Sequence, residues 1–134
     1  MQVYDIKLIG YMKLFEDITS VRAKDCYLDK LDNPLFIVPK DMLGRAIGRG
    51  SIKLKRLSRL LKKPIKIVEF DTNMQKFVSN LLYPIKAAVE CKDKEVYITV
   101  DSLNKGRVLG RDRSNLKLIQ QIVSKYFDVK LVVR

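Results

Sequence analysis

Histidine and tryptophan are absent from this chain of 134 residues, and it has only two cysteines. Without histidine it lacks both the commonest general base and the commonest transition-metal ligand. Cys26 and Cys91 stand far apart, without the paired spacing that zinc and redox motifs need, so both are expected to be ordinary semi-buried thiols. Carboxylates occur singly apart from Glu16-Asp17, which reads as helix surface, so the grouped acids of a metal-dependent nuclease are missing. The expectation is a protein that is not an enzyme and takes no cofactor or metal. No apolar run is long enough to cross hydrocarbon. The N-terminal stretch MQVYDIKLIGYMKLF carries an acidic residue and lacks a basic-then-apolar leader, which points to the cytoplasm.

Acidic residues are scarce as well. Fifteen Asp and Glu face 27 Lys and Arg, a net charge of +12 that favours a polyanionic partner. Between Asp41 and Glu69 there is no acid at all, and that interval contains the run KLKRLSRLLKK. A charge run is usually a solvated helix face. The complete lack of acidic neighbours tilts this one toward a nucleic-acid surface.

The chain repeats itself. FIVPKDMLGRAIGRGSIKLKRLSRLLKK (36–63) aligns without a gap to ITVDSLNKGRVLGRDRSNLKLIQQIVSK (98–125), an offset of 62 residues. Gly44, Arg45, Gly48, Arg49, Leu54 and Lys55 recur as Gly106, Arg107, Gly110, Arg111, Leu116 and Lys117. Leu54, Leu57, Leu60 and Leu61 correspond to Leu116, Ile119, Ile122 and Val123, the apolar face of a helix, and Leu54, Leu57, Leu60 and their counterparts are expected in the core. β-branched runs at 35–38 and 96–100 precede the motif, and others at 65–70 and 129–133 follow it. Helical patterning at 4–18 and 73–82, then strands within 21–29 and 84–92, complete each half. The order helix, strand, strand, helix, helix, strand therefore occurs twice, with a boundary near residues 71–73 and no long linker.

The glycine motif lies between the two consecutive helices of each half. It misses the Walker spacing, since only three residues separate Gly44 from Gly48 and no lysine follows. The dinucleotide fingerprint fails too, because the order is G-x-x-x-G-x-G and the turn joins helix to helix. A glycine turn ahead of a helix offers positive φ, close backbone approach and the positive end of a helix dipole, which suit a phosphate. Gly44 and Gly106 are read as packing positions of the short helix, and Gly48 and Gly110 as the turn residues that meet the ligand. Ile47, Leu54 and the strand at 65–68 are candidates for an apolar floor beneath bases. The few tyrosines do not form a stacking platform.

IGRGSIKLKRL resembles the I-G-x-G-G-x-x-I-x-x-L signature of the KH domain, whose G-x-x-G loop holds the backbone of about four single-stranded nucleotides. The element order resembles the type II form of that fold, and two copies filling nearly the whole chain resemble the archaeal NusA family of transcription factors. The resemblance implies an α+β fold of two tandem type II KH domains, 1–71 and 72–134, each αββααβ with a three-stranded mixed sheet packed against helices. It also implies single-stranded RNA as partner, with RNA polymerase or a nascent-transcript complex beside it, and a role in transcription termination or antitermination. The RNA-binding candidates are Arg45, Gly48, Arg49, Gly50, Ser51, Lys53 and Lys55 in the first half, and Arg107, Gly110, Arg111, Asp112, Arg113 and Lys117 in the second. The expected state is a monomer, with the two domains as a fixed pair. The alternative function is a ribosome- or RNA-processing-associated KH protein that binds structured RNA; a scaffold that binds protein through its basic face would show no RNA affinity.

Two loop positions depart from the family. Ser51 stands where a glycine is usual, and serine is also a residue type that caps helices. Arg113 replaces the last glycine of the second loop, and Asp112 adds a negative charge. Either Arg113 reaches the RNA backbone in compensation, or the second loop has drifted toward a weaker clamp.

Overall fold

The computed structural model describes residues 6–134. The expected helical positions 4 and 5 lie outside the described residues. The chain forms two compact units that part between Asp71 and Thr72. The first runs α1 (Ile6–Thr19), β1 (Asp25–Leu28), β2 (Pro34–Val38), α2 (Leu43–Ile47), α3 (Ile52–Leu61) and β3 (Lys66–Glu69). The second runs α4 (Met74–Leu82), β4 (Ala88–Lys92), β5 (Glu95–Thr99), α5 (Ser102–Leu109), α6 (Ser114–Tyr126) and β6 (Lys130–Val133). The fold is α+β, and the six-element order occurs in both units.

Each unit has one three-stranded mixed sheet. In the first, central β2 pairs antiparallel with β1, Cys26 opposite Phe36, and parallel with β3, Phe36 beside Ile67. In the second, central β5 pairs antiparallel with β4, Val89 opposite Ile98, and parallel with β6, Ile98 beside Val133. The parallel pair needs a crossover, and in each unit two helices joined by the glycine turn supply it. β1 and β4 lie within the expected segments 21–29 and 84–92, starting at Asp25 and Ala88.

Local chemistry sets the helix ends. The Thr19 hydroxyl donates to the Phe15 carbonyl at 2.7 Å and accepts the Val21 N–H at 3.1 Å, closing α1. Asn73 accepts the Lys76 N–H at 3.1 Å ahead of α4, and Asp101 accepts that of Asn104 at 2.8 Å ahead of α5. Both are N-caps of the expected type.

The core of the first unit gathers Phe15, Cys26, Phe36, Val38, Ala46 and Leu57, with the rings of Phe15 and Phe36 stacked at 4.4 Å between centroids. In the second unit Ile98, Val108 and Ile119 are buried at the positions equivalent to Phe36, Ala46 and Leu57, and Phe77 of α4 meets the Tyr126 ring edge-on at 5.8 Å.

Leu54 and Leu116 are only partly buried, and three other side chains also depart from the expected burial. Leu60 is 55% exposed although its counterpart Ile122 is fully buried. Six residues at about 100° each leave Leu60 roughly 120° around the helix from Leu54, at the margin of the apolar stripe, where burial depends on the neighbour. Cys91 is exposed on β4 rather than semi-buried. Cys26 is fully buried, and that burial, aided by the Asp25 carboxylate, pushes its thiol up to about 12.

Leu57→Ala should therefore lower stability in urea denaturation by ~2–5 kcal/mol, whereas Leu60→Ala should change it by no more than about 0.5 kcal/mol. Equal losses at the two positions would contradict this assignment of the core.

Candidate nucleic-acid interface

The two glycine turns have nearly the same backbone. Gly48 has φ 81° and ψ 165°, and Gly110 has φ 73° and ψ 173°, a region essentially restricted to glycine. Two left-handed residues follow after one intervening arginine: Gly50 (φ 62°) and Ser51 (φ 60°) in the first unit, Asp112 (φ 55°) and Arg113 (φ 61°) in the second. Each turn closes with the same pair of backbone hydrogen bonds. Gly48 N–H donates to the Gly44 carbonyl at 2.9 Å and Ser51 N–H to that of Gly48 at 3.1 Å; Gly110 to Gly106 and Arg113 to Gly110 repeat them at 2.8 and 3.2 Å.

Contact distances explain which glycine is indispensable. A Cβ on Gly48 would lie 2.9 Å from Lys53 Cγ and 3.2 Å from the Lys53 nitrogen, and one on Gly110 would lie 2.8 Å from the backbone nitrogen of Asn115. Here φ and space both exclude a side chain. At Gly50 a Cβ would meet nothing within 4 Å, so that position asks only for a left-handed residue. Aspartate, which visits this region more readily than most residues, meets the requirement in the second loop.

The different residues at 50–51 and 112–113 thus leave the two turns with nearly the same backbone. Ser51 does not cap α3: it is left-handed and its side chain makes no capping hydrogen bond, because an N-cap of that kind needs extended backbone. Gly44 and Gly106 are not packing positions either. Both are exposed, and a Cβ on either would meet nothing within 4 Å.

Lys53 has a role that a count of charges does not reveal. Its ammonium donates to the carbonyl of Thr19, the last residue of α1, at 2.9 Å and to that of Arg45 in α2 at 3.0 Å. Its counterpart Asn115 donates from Nδ2 to the carbonyls of Val108 at 2.9 Å and Arg107 at 3.4 Å. The same position in each unit therefore ties the long helix to the short one beneath the turn. Lys53 and Asn115 fall opposite each other at the 62-residue offset, but their residue types differ, so the sequence alone does not mark the clasp.

Arg45, Arg49, Gly50 and Lys55 are exposed, as are Arg107, Arg111, Asp112, Arg113 and Lys117; Gly48, Ser51, Lys53 and Gly110 are partly buried. Arg107 is steadied by Asn104, whose Oδ1 accepts from its guanidinium at 3.2 Å. Of the apolar floor, Ile47 and Leu54 remain half-accessible beside the first turn. Ile65 and Ile67 pack onto the core, and Val68 is only 2% exposed, so the strand contributes little open surface. Among the described residues no cluster of acids and cysteines could hold a metal ion, and no helix is long and apolar enough to cross a membrane.

The chain is similar to several archaeal proteins. One from Halococcus morrhuae, named probable transcription termination protein NusA, is 28% identical over 125 residues, covering 90% of this chain and 89% of the relative. One of the same name from Thermoplasma acidophilum is 22% identical over 133 residues, covering 96% and 92%. The crystal structure of APE1850 has a TM-score of 0.72 and 32% sequence identity, covering 98% of this chain and 100% of that one. No family model matches.

Because the first turn residue is constrained by space and the fourth only by φ, substitutions at the two should diverge. Gly110→Ala should destabilise by about 2 kcal/mol or more. Arg113→Gly should be neutral or stabilise by up to about 1 kcal/mol, the relief of left-handed strain being partly offset by unfolded-chain entropy. Urea denaturation of the two variants checks this, and a marked loss for Arg113→Gly would mean that its side chain holds the fold.

Proposed function

We propose that this chain, a relative of the archaeal NusA-named proteins, is a transcription termination or antitermination factor that holds single-stranded RNA. In this reading its two units, 1–71 and 72–134, are type II KH domains, and the turns 48–51 and 110–113 are their backbone clamps. It acts without catalysis, in the cytoplasm, on a nascent transcript beside RNA polymerase.

One observation carries the proposal: two turns with different residues in their last two positions keep the same left-handed backbone. Strained φ values that a domain could avoid with glycine recur at functional sites. Each turn exposes an arginine at its tip, Arg49 or Arg111, and is preceded by another, Arg45 or Arg107. A phosphate approaching the turn meets these cations without a wall of side chains, because Gly44 and Gly106 leave the helix surface bare one turn ahead. Ile47 and Leu54 give a base an apolar surface beside the first turn. The second turn works as the first does, with Arg113 adding a cation that offsets Asp112.

Lys53 is assigned to the framework of the clamp, since two carbonyls already occupy its ammonium. That separates it from Arg49 in a salt titration. With a labelled single-stranded RNA dodecamer and the full chain, Arg49→Gln and Arg111→Gln should each reduce the slope of log affinity against log salt by about 0.7, the share of a single neutralised phosphate. Lys53→Gln should weaken binding while keeping the slope. Unchanged affinity and slope in both arginine variants would refute the clamp.

A further inference from the structure

The repeat supplies an internal control that isolates one surface. On α3, the side opposite buried Leu57 carries Ile52, Lys55, Arg56 and Arg59, all exposed, with Leu60 and Lys62 exposed alongside. Residues 52, 55, 56 and 59 follow the i, i+3, i+4, i+7 pattern of a single helix face, about 10 Å long. Among the described residues Lys55, Arg56 and Arg59 have no acidic partner. At the equivalent places α6 has Ser114, Lys117, Leu118 and Gln121. The same fold is built in the second unit with a single cation there, so the fold does not require the charges.

The stripe also works against its own helix. Lys55 and Arg59 are like charges one turn apart, as are Arg56 and Arg59, which weakens a helix. Lys53, Lys55 and Arg56 crowd its N-terminal half, where the dipole disfavours cations. Ile52 is 65% exposed within this array. An unpaired basic stripe with an apolar residue at its start, leading directly out of the turn at 48–51, complements a polyanion that has bases as well as phosphates.

We infer that the outer face of α3 is a second RNA-contacting surface, on which Arg56 and Arg59 hold phosphates of the strand beyond the nucleotides seated at the first turn, and that the second unit lacks this extension. The inference rests on the clamp reading above, and it makes the first unit's footprint on RNA the longer of the two.

Two probes separate the inference from its premise: a labelled single-stranded RNA tetramer and a dodecamer, titrated with the full chain across salt concentrations. Arg56→Gln/Arg59→Gln should lower the dodecamer's salt slope by about 1.4, or about 0.7 for each of two phosphates, and leave the tetramer's slope unchanged. Arg49→Gln should weaken both probes. Lys92→Gln/Lys130→Gln, which removes the same charge from exposed strand positions of the second unit, should not alter the slope for either probe. An unchanged dodecamer slope in Arg56→Gln/Arg59→Gln overturns the inference alone if Arg49→Gln still weakens the tetramer. An equal fall in the Lys92/Lys130 variant overturns it by reducing the effect to net charge. If Arg49→Gln affects neither probe, the clamp at the first turn fails and the extension fails with it.

Discussion

Everything near the candidate interface depends on one steric constraint: the backbone at Gly48 and Gly110 passes so close to the start of the next helix that no side chain fits. That closeness fixes φ and ψ in a region open essentially to glycine alone. With the first residue pinned, the arginine that follows is exposed, the next two residues turn left-handed, and the long helix begins at Ile52 or Ser114. The clasp beneath the turn is part of the same arrangement. Lys53 and Asn115 lie against these glycines while their polar ends hold the carbonyls of the short helix, so the turn is set from both sides.

This hierarchy explains how the two turns differ in sequence and agree in form. Where space is limiting the residue is glycine in both copies. Where only a left-handed conformation is required, Gly50 and Ser51 exchange for Asp112 and Arg113 at a modest cost in strain. Charge varies more freely. The basic stripe of α3 has no match on α6, although the buried residues of the two helices, Leu57 and Ile119, occupy the same place. Surface chemistry has thus diverged while packing was kept within one repeated architecture.

The element order and the position of the turns were legible in the sequence, because they rest on periodicity and on a repeat whose copies check each other; the mixed sheet followed only from the family resemblance. The turn's backbone was legible in outline through Gly48 and Gly110. What escaped were properties set by neighbours rather than by residue type. The ammonium of Lys53 looked like one more cation until the carbonyls of Thr19 and Arg45 were placed around it. Leu60 fits an apolar spacing and still lies outside the core, although Ile122 at the same spacing is buried, because burial at the margin of the helix face depends on the neighbour. Gly44 and Gly106 suggested close packing, yet the space beside them is open. Ser51 suits an N-cap by type but not by conformation. Cys91 is exposed through its place on β4, which residue type alone does not specify.

The central claim is that the two turns of like backbone are both contact sites for single-stranded RNA. Backbone amide chemical-shift mapping of the full chain during titration with a single-stranded RNA tests it most directly. The account predicts concerted shifts at residues 48–51 and at 110–113, saturating with the RNA. Shifts confined to the sheets, or absent from either turn, would contradict it.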